Sequence, residues 1–101
     1  MAPRLVDIAE VIEANRAIGH HWFDPDNVRH ARARWAKTAW ELPDGTRYFV
    51  ASRRLYDFEY PRIYEVMCQT PDGAIAHARH NTTTGHESRA DAQRALSALV
   101  F

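Results

Sequence analysis

An α+β fold, with two N-terminal helices, a four-stranded antiparallel β-meander and a C-terminal helix, follows from three features of this sequence. Apolar residues recur at helical spacing over residues 3–18 and again over 88–99. Alternation of period two fills the middle of the chain, and the triplet Pro-Asp-Gly occurs at 43–45 and at 71–73, each time between two such stretches. At 101 residues, 46% of them hydrophobic, the chain predicts one domain, residues 1–101, with a core of its own.

In the first helix, Leu5, Ile8, Val11, Ile12 and Ile18 fall within one half of a helical wheel, while Asp7, Glu10 and Glu13 fall in the other. The acidic half is either a solvated surface or a stripe turned toward a partner. Gly19 is suited to the left-handed residue that ends a helix, and Asp24-Pro25 is an N-cap followed by a first helical residue. Phe23 and Val28 have the spacing of a hydrophobic staple. Trp22 and Phe23 accordingly read as packing at a bend between two helices.

The second helix is expected over residues 25–34, with Val28, Ala31 and Trp35 on one stripe and Arg29, His30 and Arg34 turned away. Asp24 and Asp26 at its start, with Arg29, Arg32 and Arg34 toward its end, complement the helix dipole without any ligand. Strands follow over 37–42 and 47–53, the latter with Tyr48 and Val50 on one face and Phe49 and Ala51 on the other. Two more are expected over 62–70 and 74–81, the first sending Tyr64, Val66 and Cys68 one way and Ile63, Glu65 and Met67 the other. In both Pro-Asp-Gly turns, proline presets the first corner and glycine supplies a positive φ. Ser88, with Asp91 three residues on, is the expected N-cap of the last helix, whose inward residues are Ala92, Ala95, Leu96 and Leu99.

Thirteen Lys and Arg balance thirteen Asp and Glu, so neither a strongly basic nor a strongly acidic protein is indicated, though a local patch of either sign is compatible with this balance. A single cysteine, Cys68, excludes an internal disulfide framework and, in its apolar strand, reads as a structural thiol. The first 30 residues carry Asp7, Glu10 and Glu13 and no continuous apolar run, which predicts a soluble, cytoplasmic protein. Six histidines raise the question of a metal, but His20 and His21 are adjacent, and His77 and His80 fall on opposite faces of a strand. Ser52, or a threonine of 82–84 with His86 and Glu87, is the nearest approach to a hydrolase, without a nucleophile elbow or phosphate loop. No catalytic residue, metal site or cofactor is therefore expected.

Two binding surfaces compete. Residues 55–61 place Tyr56, Phe58 and Tyr60 at alternate positions with Asp57 and Glu59 between them, which is either folded-back core or an aromatic surface offered to a protein partner. With Asp7, Glu10 and Glu13 these form the expected partner-binding set. Alternatively, Arg29, Arg32, Arg34, Lys37, Arg53 and Arg54 gather beside stacking aromatics as a nucleic-acid-binding module. Apolar residues on both faces of the middle strands also suggest a homodimer.

Residues 14–26, reading Ala-Asn-Arg-Ala-Ile-Gly-His-His-Trp-Phe-Asp-Pro-Asp, with Arg-Tyr-Phe-Val-Ala-Ser at 47–52 and Pro-Arg-Ile-Tyr-Glu-Val at 61–66, resemble a family of short uncharacterised proteins of phages and other mobile elements. That family has a helix ending in Gly, an aromatic pair, an Asp/Ser-Pro helix start, a Phe-Val-x-Ser strand and an Ala-rich final helix. The Ala/His-rich strand at 74–81 and the threonine run at 82–84 depart from it. The resemblance brings no catalytic residues. It implies a viral accessory protein that binds and inhibits a host or defence complex in the host cytoplasm, as anti-CRISPR proteins do.

Overall fold

Two helices and six strands succeed one another in the computed structural model, which describes residues 2–24, 33–54, 62–78 and 86–101. The strands are β1 (Arg4–Asp7), β2 (Arg34–Trp35), β3 (Thr38–Glu41), β4 (Arg47–Arg53), β5 (Ile63–Gln69) and β6 (Ile75–His77). The helices are α1 (Ile8–Ala17) and α2 (Arg89–Val100). All strand pairs are antiparallel in one sheet of order β1-β3-β4-β5-β6, with β2 also paired to β4. The α+β class is as expected. The counts differ, since among the described residues the sheet has six strands where four were expected.

The first correction is at the N-terminus, where residues 4–7 form a strand and not the first turn of a helix. Val6 is buried opposite Ala39, whereas Leu5, opposite Trp40 on the other face, is 52% exposed. An apolar pattern this short is shared by a helix and by a strand running into one. Asp7 sets the boundary: its carboxylate accepts the Ala9 N–H at 2.8 Å as the N-cap of α1, and the Ile8 N–H donates to the Lys37 carbonyl at 2.9 Å. Ile18, expected on the inner stripe, follows the helix and is exposed. Gly19 takes φ +78 and donates to the Arg16 carbonyl, the helix stop its sequence position predicts.

The second correction concerns Arg34 and Trp35, which lie in β2 and not on a helix. The rest of the helix expected over 25–34, with Val28 of the staple, lies outside the described residues, apart from Ala33, which precedes β2. Trp35 opposes Ala51 and Trp40 opposes Tyr48, so residues 36–39 face only 49 and 50 on β4, a bulge that separates β2 from β3. β3 begins at Thr38 and β6 spans only Ile75–His77, both shorter than the strands expected at 37–42 and 74–81.

Alternation on β4 and β5 divides the core into two layers, as their sequences predict. Phe49, Ala51 and Met67 pack with Val6, Val11, Phe23, Ala39 and Ile75 under α1 and the corner that follows it. Trp22, Phe23, Trp35 and Phe49 form an aromatic group there, with ring centroids 4.8–6.1 Å apart. On the opposite face Val50, Val66 and Ala78 pack against Ala92, Leu96 and Val100 of α2. Both faces of β4 and β5, the strands behind the homodimer expectation, thus carry core layers within the one chain.

Both Pro-Asp-Gly turns form as expected. Gly45 (φ +93) and Gly73 (φ +108) occupy the left-handed positions, and the aspartates accept backbone N–H groups from Thr46 and Ala74. The second turn also docks against α1: a Cβ on Gly73 would lie 2.5 Å from the Ala14 carbonyl oxygen.

Candidate functional site

The register of β2 on β4 builds a cleft rimmed by cations. Arg34 opposes Ser52, and Ser52 opposes Tyr64 on β5, so the three side chains share the α2 face of the sheet. Arg89 and Gln93, one turn apart at the start of α2, close the other side. Lys37, on the bulge between β2 and β3, completes the rim of a cleft of about 280 Å³. Arg34, Lys37 and Arg89 are exposed. Ser52 is buried, its Oγ accepting from the Arg62 guanidinium at 3.0 Å.

Three cations with no carboxylate among the lining residues give this surface a positive local charge. Two of them, Arg34 and Lys37, belong to the expected nucleic-acid set. Arg53 points to the opposite face, where its guanidinium pairs with buried Glu65 at 3.0 Å, beside the His77 imidazole 3.6 Å from the same carboxylate. Arg54 does not line the cleft, and Arg29 and Arg32 lie outside the described residues.

The expected protein-binding set divides in a similar way. Tyr56, Asp57, Phe58, Glu59 and Tyr60 lie outside the described residues. Asp7 is occupied as a helix cap, while Glu10 and Glu13 are exposed on α1. A different apolar surface lies where α2 leaves β1 and β3 uncovered. Phe101, 72% exposed, meets Trp40 edge-on at 5.0 Å between centroids, and exposed Leu5 is the register partner of Trp40.

Arg89 was not singled out in the sequence, although a cation in the first turn of a helix opposes the macrodipole and so calls for an explanation. Gln93, Ser52 and Tyr64 reach the cleft only through strand register and helix placement.

Elsewhere the charges are held structurally. Glu41 accepts from Arg4 at 2.6 Å and from Arg47 at 2.9 Å, and those contacts, with the Arg4 hydrogen bond foremost, hold its carboxyl below the usual carboxylate range. Cys68 is half-buried beside Tyr48, and burial pushes both the thiol and the phenol up. Ser52 and His86 flank Tyr64 on opposite sides, because His86 bridges to Tyr64 by paired backbone hydrogen bonds. Two strand spacings, roughly 10 Å, therefore separate the nearest serine and histidine of the hydrolase pattern. Threonines 82–84 and His80 lie outside the described residues. His20 gains a structural role, its Nδ1 accepting the Ile75 N–H at 3.3 Å.

Among the described residues there is no group of three or more His, Cys, Asp or Glu side chains placed to hold a metal ion. No described helix is long and apolar enough to cross a membrane. No family model, curated protein or solved structure matches this chain.

Proposed function

We propose that this chain is a non-catalytic binding domain that docks onto a protein, acting as a phage-type accessory module that inhibits a host or defence complex. The observation that carries the docking reading is the uncovered apolar surface of Leu5, Trp40 and Phe101. Exposed Glu10 and Glu13 supply an acidic surface on α1, on the other side of the sheet. The mobile-element setting rests on the resemblance of residues 14–26, 47–52 and 61–66. Retention of a partner from host lysate, its identification, and reassembly with the purified partner would test the reading. Leu5→Glu with Phe101→Glu should weaken the reassembled complex at least about tenfold, the loss of one or two anchor side chains. Equal affinity for the double variant removes this surface, and unchanged phage survival in defended cells expressing the chain removes the anti-defence role.

A second reading, nucleic-acid binding, is favoured by the convergence of Arg34 and Lys37 on one cleft. Its signature is a shift of single-stranded oligonucleotide that weakens steeply with salt. Binding indifferent to salt would remove its electrostatic basis.

A further inference from the structure

We propose that the cleft between β2, β4 and the start of α2 is a discrete pocket for one phosphate-bearing group of nucleotide size. The inference goes beyond protein docking and deepens the nucleic-acid reading, from which its test separates it.

The placement of charge carries the argument. Arg4, Arg47, Arg53 and Arg94 each pair with a carboxylate, in a chain whose formal charges cancel. Arg34, Lys37 and Arg89 converge on the cleft, and none of them has a carboxylate partner among the described residues. The acidic residues nearest on α2 do not relieve them: Asp91 is engaged by Arg94, and Glu87 does not line the cleft. Like charges at one concavity repel, and a multivalent anion turns that repulsion into attraction. Arg89 also stands against the dipole of its own helix, an arrangement that an anion at the same place reverses in sign.

The remaining lining suits a phosphate ester better than a bare ion. The hydroxyls of Ser52 and Tyr64 and the Gln93 amide offer neutral hydrogen bonds beside the cations. Behind Ser52, Arg62 fixes the hydroxyl from below. At about 280 Å³ the cleft lies just below the range of ligand pockets, which run from about 300 Å³, so it limits the occupant to a small molecule and excludes a folded partner.

Calorimetric titration of the whole chain with 5′-AMP, inorganic phosphate, adenosine, a phosphoserine peptide and a short single-stranded oligonucleotide tests this. AMP should saturate one site and phosphate should compete for it, while adenosine binds at least about tenfold more weakly, the loss expected when charge-assisted hydrogen bonds are removed. Arg34→Gln and Arg89→Gln change exposed side chains and should each weaken AMP about tenfold with the thermal midpoint preserved. Arg89→Lys should restore part of the affinity, and Arg16→Gln, an exposed arginine of α1 outside the cleft, should leave it unchanged. Failure of AMP and phosphate to saturate at millimolar concentration overturns the proposal, as does an equal effect of Arg16→Gln or preference for the phosphopeptide. Oligonucleotide binding without AMP binding keeps the nucleic-acid reading and overturns the pocket. AMP binding without oligonucleotide binding does the reverse.

Discussion

The buried Asn15 side chain on α1 donates to the Gly73 carbonyl at 3.0 Å, joining positions 58 residues apart. Its oxygen accepts the Trp22 N–H at 2.9 Å, so one amide ties a helix, the corner after it and the β5–β6 turn. Gln69 supports the same turn, donating to the Val11 and Gly73 carbonyls. Asn15→Ala leaves these buried groups unpaired and should cost about 2–3 kcal/mol in chemical denaturation. Gly73→Ala meets both a positive φ and the Ala14 carbonyl, and should cost about 3 kcal/mol or more. A loss below about 1 kcal/mol for either would show that the turn can leave α1 without consequence.

Acid should loosen the fold through a small set of carboxylates. Glu41 is held low by Arg4 and Arg47, Asp44 by the Thr46 N–H, and Asp72 by the Thr70 hydroxyl and Ala74 N–H. Folded values below unfolded ones stabilise the native state fully above the ordinary carboxylate range, and that contribution disappears as pH falls through the folded values. Denaturation midpoints should therefore hold down to about pH 5 and fall below it. Glu41→Gln should flatten that fall, whereas an identical slope would place the acid sensitivity elsewhere.

Cys68 should alkylate slowly. Burial raises its thiol above the ordinary value and Tyr48 lies against it, so little thiolate forms near neutral pH. Iodoacetamide at pH 8 should label the native chain at least about tenfold more slowly than the urea-unfolded chain, a factor set jointly by access and thiolate fraction. Equal rates would contradict the packing of β5 against α2.

Ser88 caps α2 by accepting the Asp91 N–H at 3.1 Å. Ser88→Ala should cost about 1 kcal/mol, read as a lower thermal midpoint, and Ser88→Asp should recover most of it. Since Arg89 and Gln93 occupy the turn that this cap holds, the alanine variant should also lower AMP affinity.

Features written in a few adjacent residues were legible: β4 at Arg47–Arg53, the opposed faces of β4 and β5, both Pro-Asp-Gly turns, and the Ser88 cap. Leu5 misled because its partner is Trp40, far along the chain. Arg34 misled because cations after a helix start satisfy a dipole argument equally well whether the helix ends before them or at them. The cleft needs Arg34 opposite Ser52 and Arg89 above both, and no local pattern encodes that coincidence.

The aromatic group at the corner gives the molecule an intrinsic optical probe. Trp22 and Trp35, with ring centroids 6.1 Å apart and planes inclined at 58°, are close enough for their excited states to mix. Such coupling splits the indole far-ultraviolet bands into a circular-dichroism couplet that vanishes when the rings separate. The unlabelled chain can therefore report opening of this corner independently of the helix signal, and show whether it melts before the rest of the sheet.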